Sequence, residues 1–246
     1  YADDTTIIAH TADSLSMKLR VLELYCKENK LRVNVNKTKI MVFSKHGRMG
    51  YTREWRYMGE SIENVKTFTY LGIPFQSNGS FKKTAQAALS RGKVALSASW
   101  GLICGKTVDS WQTRMKLYRA IVQSVPLYGA SLWGLQHTEI LERLNQHFAK
   151  SLLQLPTYTP GYLLRIETGQ LHASFNISKI TLQFWIRILT MHDTRLPKRC
   201  YLQLMETPGS WPLQIKQLLD HHGYSFVWNL QDPLISKYLL PIIMQT

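Results

Sequence analysis

The sequence predicts an α+β chain whose strands come first and whose helices follow. Three observations carry this. Between residues 31 and 35 Leu31, Val33 and Val35 alternate with Arg32 and Asn34, and VKTFTYLGI (65–73) is rich in β-branched and aromatic residues; a half-buried strand needs that period of two. Beyond Pro74 and the SNGS stretch at 77–80 the apolar spacing changes to three and four, which is the period of a helix. With 45% hydrophobic and 11% aromatic residues over 246 positions, the chain can bury one sizeable core or two small ones, which excludes a disordered tail.

Taken in order, TTIIA (5–9) reads as a short strand. Thr11 or Asp13 then caps a helix with Leu15, Leu19, Leu22 and Cys26 on one face, and Asn29 is expected to close it in the left-handed conformation. LRVNV and KIMVF are strand candidates, SKHGRMG is a loop, and further strands are expected at Trp55–Tyr57 and across 65–73. Residues 82–102 form an Ala-rich helix with Ala85, Leu89 and Leu96 near one face. Asp109 with Gln112 has capping-box spacing ahead of Trp111, Met115, Tyr118 and Val122, before Pro126 interrupts. A helix from Thr138 carries Leu141, Leu144, Phe148 and Leu152 up to Pro156. The last ninety or so residues look helical, broken by Pro197, Pro208, Pro212, Pro233 and Pro241. Trp100, Trp111, Trp133 and Trp185 are assigned to the core.

The net charge is +14. Residues 1–200 hold 28 basic against 13 acidic side chains, while residues 201–246 carry −1. That positive field suits a polyanion, nucleic acid first, or else a merely soluble basic protein. Three cysteines (Cys26, Cys104, Cys200) without short spacing argue against a disulfide framework or zinc module and for a reducing compartment. His221 and His222 read as ordinary exposed histidines. No apolar stretch reaches transmembrane length, so no membrane partner is expected.

The chemistry sits at the start, YADDTTII. Adjacent strand residues face opposite ways, but at a tight turn Asp3 and Asp4 can reach one cavity. Two carboxylates there repel unless a divalent cation neutralises them, and Mg²⁺ takes carboxylates alongside substrate phosphates. Taken alone, the same four residues also describe an acidic surface turn.

The succession YADDTTII, helix, NVNKTKIMVF, FTYLGI and basic helical block resembles the reverse transcriptases, the non-LTR (LINE-like) retrotransposon enzymes above all. Tyr1, Ala2, Asp3 and Asp4 fit the Tyr-x-Asp-Asp turn of the palm. Asn34, Lys37 and Thr38 fit the Asn-x-x-Lys-Thr signature, and Tyr70, Leu71 and Gly72 fit the primer-grip hairpin. LYGASLWG (127–134) and LPTYTPGYLLRIETG (155–169) look like segments that follow the thumb. The resemblance implies a remnant of an antiparallel palm sheet (1–75), a helical thumb (76–156) and a helical extension of open role (157–246). It implies RNA-directed DNA synthesis with two Mg²⁺ ions about 3.5–4 Å apart held through Asp3 and Asp4. Lys37 would serve the departing pyrophosphate, and Tyr1 and Ala2 would lie near the primer end. RNA template, DNA primer, their hybrid and dNTPs are the implied partners, in a nuclear setting.

Lys82, Lys83, Arg91, Lys93, Lys106, Arg114, Lys116 and Arg119 are candidates to track the hybrid's phosphates, although solvated helix faces account for part of such a set. In the same way, Lys37 also fits a solvated strand lysine and Gly72 a β-bulge. Two departures matter. Lys30-Leu31 stands where the family has Gly-Leu, so Asn29 must supply the left-handed turn. An upstream aspartate strand and the fingers are not among these residues, so the chain is expected to be the C-terminal part of a longer polymerase, or a decayed copy, inactive alone. An exapted nucleic-acid-binding module without catalysis is the alternative; a protein scaffold acting through 201–246 is a third reading.

Overall fold

Thr11, not Asp13, starts the first helix: its hydroxyl accepts the Ser14 N–H at 3.2 Å, and helix α1 runs Ala12–Glu28. The computed structural model describes residues 4–44, 53–105, 108 and 110–244. The architecture is α+β, in two compact units, Tyr1–Lys83 and Thr84–Thr246.

In the first unit α1 lies on a small sheet made of β1 (Lys39–Ile40), β2 (Trp55–Tyr57) and β3 (Glu60–Asn64), in the order β1-β3-β2. The β2–β3 pairing is antiparallel and the two-residue β1–β3 pairing parallel. Leu19, Ile40, Trp55, Tyr57 and Ile62 form the core, flanked by Leu15, Leu22, Val33 and Val35, and Cys26 is buried as well. A separate antiparallel hairpin joins β4 (Thr67–Tyr70) to β5 (Ile73–Gln76).

Several strand expectations are corrected. Residues 5–9 and 31–35 pair with no strand among the described residues, although Val33 and Val35 do turn inward; alternation supplies a buried face but not the hydrogen-bonding partner a strand requires. KIMVF pairs only at Lys39–Ile40. The run 65–73 is half of a hairpin, and β3, polar except for buried Ile62, is a strand the pattern did not disclose. Nor does Asn29 adopt the left-handed conformation. Asn29 has φ −92° and Lys30 has φ 56°. Leu31 N–H donates to Cys26 O at 2.8 Å and Lys30 N–H to Lys27 O at 3.4 Å, the bond pair of a Schellman cap.

The second unit is helical. Helix α2 (Lys82–Cys104) leads to α3 (Trp111–Leu117), a π-helical stretch (Tyr118–Gln123), α4 (Ser124–Leu127), α5 (Ala130–Trp133), a 3-10 turn (Gly134–His137) and α6 (Thr138–Leu152). Leu96, Ile103, Met115, Tyr118, Val122, Leu144 and Phe148 form one core, with Tyr118 stacked on Phe148 at 3.9 Å between centroids. Pro126 does not interrupt; it is buried within α4. The residue before α3 is Ser110, and the expected cap Asp109 lies outside the described residues.

Helices α7 (Gly161–Thr168), α8 (Ala173–Leu189), α9 (Leu196–Leu204), α10 (Trp211–His221), α11 (Ser225–Leu230) and α12 (Pro233–Ile243) follow. Their core centres on Trp185, Ile215, Leu219, Val227 and Trp228. Pro197, Pro212 and Pro233 start helices instead of breaking them, because the first turn needs no N–H there. Trp133 and Trp185 are core and Trp100 packs on one, but Trp111 is 36% exposed and so is corrected. No described helix is long and apolar enough to cross a membrane.

Candidate functional site

Of the acidic pair and its neighbours, Tyr1, Ala2 and Asp3 lie outside the described residues. Asp4 is exposed, at the head of a segment without regular structure that Lys18 holds by donating to Ile8 O at 2.6 Å. Its carboxylate has the oxygen chemistry magnesium prefers, but one carboxylate does not complete a ligand set. Among the described residues no three His, Cys, Asp or Glu side chains converge.

Residues 34–38 form a closed turn, not a strand face. Asn34 Oδ1 accepts the Lys37 N–H at 3.2 Å, while the Thr38 hydroxyl donates to Asn34 O at 2.9 Å. Asn and Thr are there because each bonds the backbone a few residues away. Between them Lys37 projects as an exposed cation, and neither its ammonium nor the Asp4 carboxylate has an ion pair among the described residues.

Tyr70 pairs with Ile73, leaving Leu71-Gly72 as a two-residue loop with φ 48° and 77°. Positive φ at both positions defines a type I′ hairpin turn, so Gly72 sits in a turn and not a bulge. Met58-Gly59 between β2 and β3 repeats this, with φ 48° and 83°. In each turn a bulky apolar residue occupies a place that usually takes Asn or Gly, which is why the second turn escapes a reading of the sequence.

Among the candidate phosphate contacts, Lys82, Lys83, Lys93, Lys116 and Arg119 are exposed. Arg91 is half-buried and engaged. Arg114 is half-buried too, and its Nε donates to Val108 O at 2.9 Å, which pins the approach to α3. Lys106 lies outside the described residues.

A buried polar network also escaped sequence reasoning. Glu142, 1% exposed, accepts the Ala173 N–H at 2.8 Å, Asn145 Nδ2 at 3.1 Å and Arg165 Nη1 at 3.3 Å. The carboxylate thus meets the start of α8, where the helix dipole favours it. Asn145 Oδ1 accepts the Tyr118 hydroxyl at 2.8 Å; burial, and then the Glu142 charge, push that phenol's pKa upward. The segments 127–134 and 155–169 are corners of this framework: a Cβ at Gly134 would stand 2.8 Å from Ile177.

No curated protein and no solved structure matches the chain. Residues 1–75, the span that holds the acidic pair, the Asn34–Thr38 turn and the Leu71-Gly72 hairpin, match the family model of reverse transcriptase (RNA-dependent DNA polymerase).

Proposed function

We propose that the chain works as part of an RNA-directed DNA polymerase of the non-LTR (LINE-like) type, copying an RNA template onto a DNA primer. The observation that carries this is the family match over residues 1–75, and the +14 charge supports a nucleic-acid partner. In this reading residues 1–75 are palm, 76–156 thumb and 157–246 a helical extension. Asp3 and Asp4 are the carboxylates assigned to Mg²⁺, which when bound neutralises charge on the reacting phosphates. Lys37, presented by its closed turn, holds the proton for departing pyrophosphate. Tyr70, Leu71 and Gly72 support the primer.

The test is primer extension on an RNA template by a polymerase carrying this chain. Asp3→Asn and Asp4→Asn are expected to abolish incorporation while leaving hybrid binding intact. The 246 residues alone are expected to bind hybrid without extending it, and templated incorporation by them alone overturns that part. The +14 charge equally favours a second reading, a nucleic-acid-binding module without catalysis. It gains if the larger protein binds hybrid but never extends a primer.

A further inference from the structure

Helix α6 is joined to α7 by two rungs and to the turn before α7 by a third. Glu142 Oε1 accepts from Arg165 Nη1 at 3.3 Å. Gly161 lies so close to Gln146 that a Cβ there would stand 2.6 Å from its Nε2. Lys150 donates to the Thr157 carbonyl. The rungs step by four residues on both segments and in opposite directions, so the two helices are antiparallel.

Each helical residue turns about 100° from the last. Seen from one end, two antiparallel helices turn in opposite senses. The residue that follows each rung residue therefore faces the same side of the pair. On α6 the followers are Arg143 and His147, both exposed. On α7 they are Tyr162 and Ile166, 57% and 73% exposed; Tyr158, 84% exposed, stands beside Thr157 in the turn that Lys150 ties to α6. Glu139 leans to His172 at 3.4 Å, and Glu167 marks the far limit of the strip.

We propose that this face takes single-stranded RNA, with Tyr162 and the neighbouring turn residue Tyr158 stacking on bases while Arg143 and His147 flank the phosphates. It rests on the nucleic-acid reading above and extends it to residues beyond 75. Exposed tyrosines beside cations fit a single strand because only unpaired bases offer their faces. RNA is the strand chosen because the family match is to an RNA-dependent enzyme.

The experiment measures binding of the whole chain to a labelled oligouridine, an oligothymidine of equal length, and an RNA–DNA hybrid. Tyr158→Ser with Tyr162→Ser is expected to weaken oligouridine binding at least about tenfold and leave the hybrid unaffected. Tyr158→Phe with Tyr162→Phe should bind like the wild type, since phenylalanine still stacks. Arg143→Gln should flatten the salt dependence. Unchanged oligouridine affinity in the serine variant, with hybrid binding intact, overturns this inference alone. Tighter binding of oligothymidine overturns the choice of RNA. Loss of self-association in place of RNA binding makes the face a protein surface and overturns it. A wild type that binds no nucleic acid overturns the proposed function as well.

Discussion

The Glu23 carboxylate of α1 accepts the Met58 backbone N–H at 2.6 Å, so the helix holds the turn between β2 and β3. Met58 is a poor residue for φ 48°, and the carboxylate offsets part of that cost. It also fixes the register that sends Trp55 and Tyr57 inward. Glu23→Ala is expected to destabilise the first unit by about 1 kcal/mol and to speed hydrogen exchange at the Met58 amide, with Glu23→Gln intermediate. Unchanged protection of that amide in the alanine variant would show the bond to be idle.

Tyr57 beside this contact gives a pH dependence. Burial chiefly, then the Cys26 thiol and the Glu23 charge, push its pKa up to about 12 from 10.0. The folded state thus holds the phenolic proton more tightly than the unfolded chain. The stabilisation is complete below pH 10 and is lost as pH rises towards 12. The loss should be of order 1–3 kcal/mol. Tyr57→Phe is expected to flatten alkaline unfolding of the first unit over that window, and a variant that titrates like the wild type contradicts the assignment.

Lys30 stands at φ 56° in the Schellman cap of α1, where a side chain costs about 1–2 kcal/mol and glycine costs little. Lys30→Gly should stabilise the first unit by up to about 1 kcal/mol, after allowing for glycine's greater freedom in the unfolded chain. Urea denaturation with Trp55 as reporter measures this. Lys30→Ala, which keeps a Cβ, should show no such gain.

The helices were legible because their signals are local. Leu141, Leu144 and Phe148 announce α6 by spacing alone, and all three are buried. Strands were less legible because a strand exists through its partner. The alternation at Leu31, Val33 and Val35 is real, yet no ladder forms there among the described residues, whereas ESIEN pairs on both edges with only Ile62 as a buried anchor. Left-handed positions filled by Lys30, Met58 and Leu71 carry no compositional mark. The motif Asn34, Lys37, Thr38 was readable as residues, but its closed-turn geometry depends on side-chain bonds that spacing does not show. Glu142 could not be told from a surface glutamate on α6, because two of its three partners come from α7 and the start of α8.

That turn can be tested part by part. Asn34→Ala removes the side-chain acceptor for the Lys37 N–H, leaving the Asn34 carbonyl at 3.2 Å, and should cost up to about 1 kcal/mol of stability. Lys37→Ala removes only an exposed side chain, so stability should stay within about 0.5 kcal/mol. If Lys37 serves pyrophosphate departure, the polymerase carrying Lys37→Ala should lose kcat far more than hybrid affinity. A loss of stability with normal kcat would reverse the two roles.

The cations of the helical region divide by engagement, and salt dependence separates them. Each exposed lysine that meets a phosphate releases counterions, and removing one lowers the slope of log affinity against log salt by roughly 0.9. Lys93→Gln, Lys116→Gln and Arg119→Gln are expected to behave this way, because these side chains are exposed. Arg114 differs. Its Nε already donates to Val108 O at 2.9 Å, so Arg114→Gln should lower thermal stability while changing the slope little. Those that meet phosphate reveal themselves by slope, and those on a merely solvated face change neither quantity. An Arg114 variant with native stability and a reduced slope would place that guanidinium on nucleic acid and leave the Val108 contact incidental.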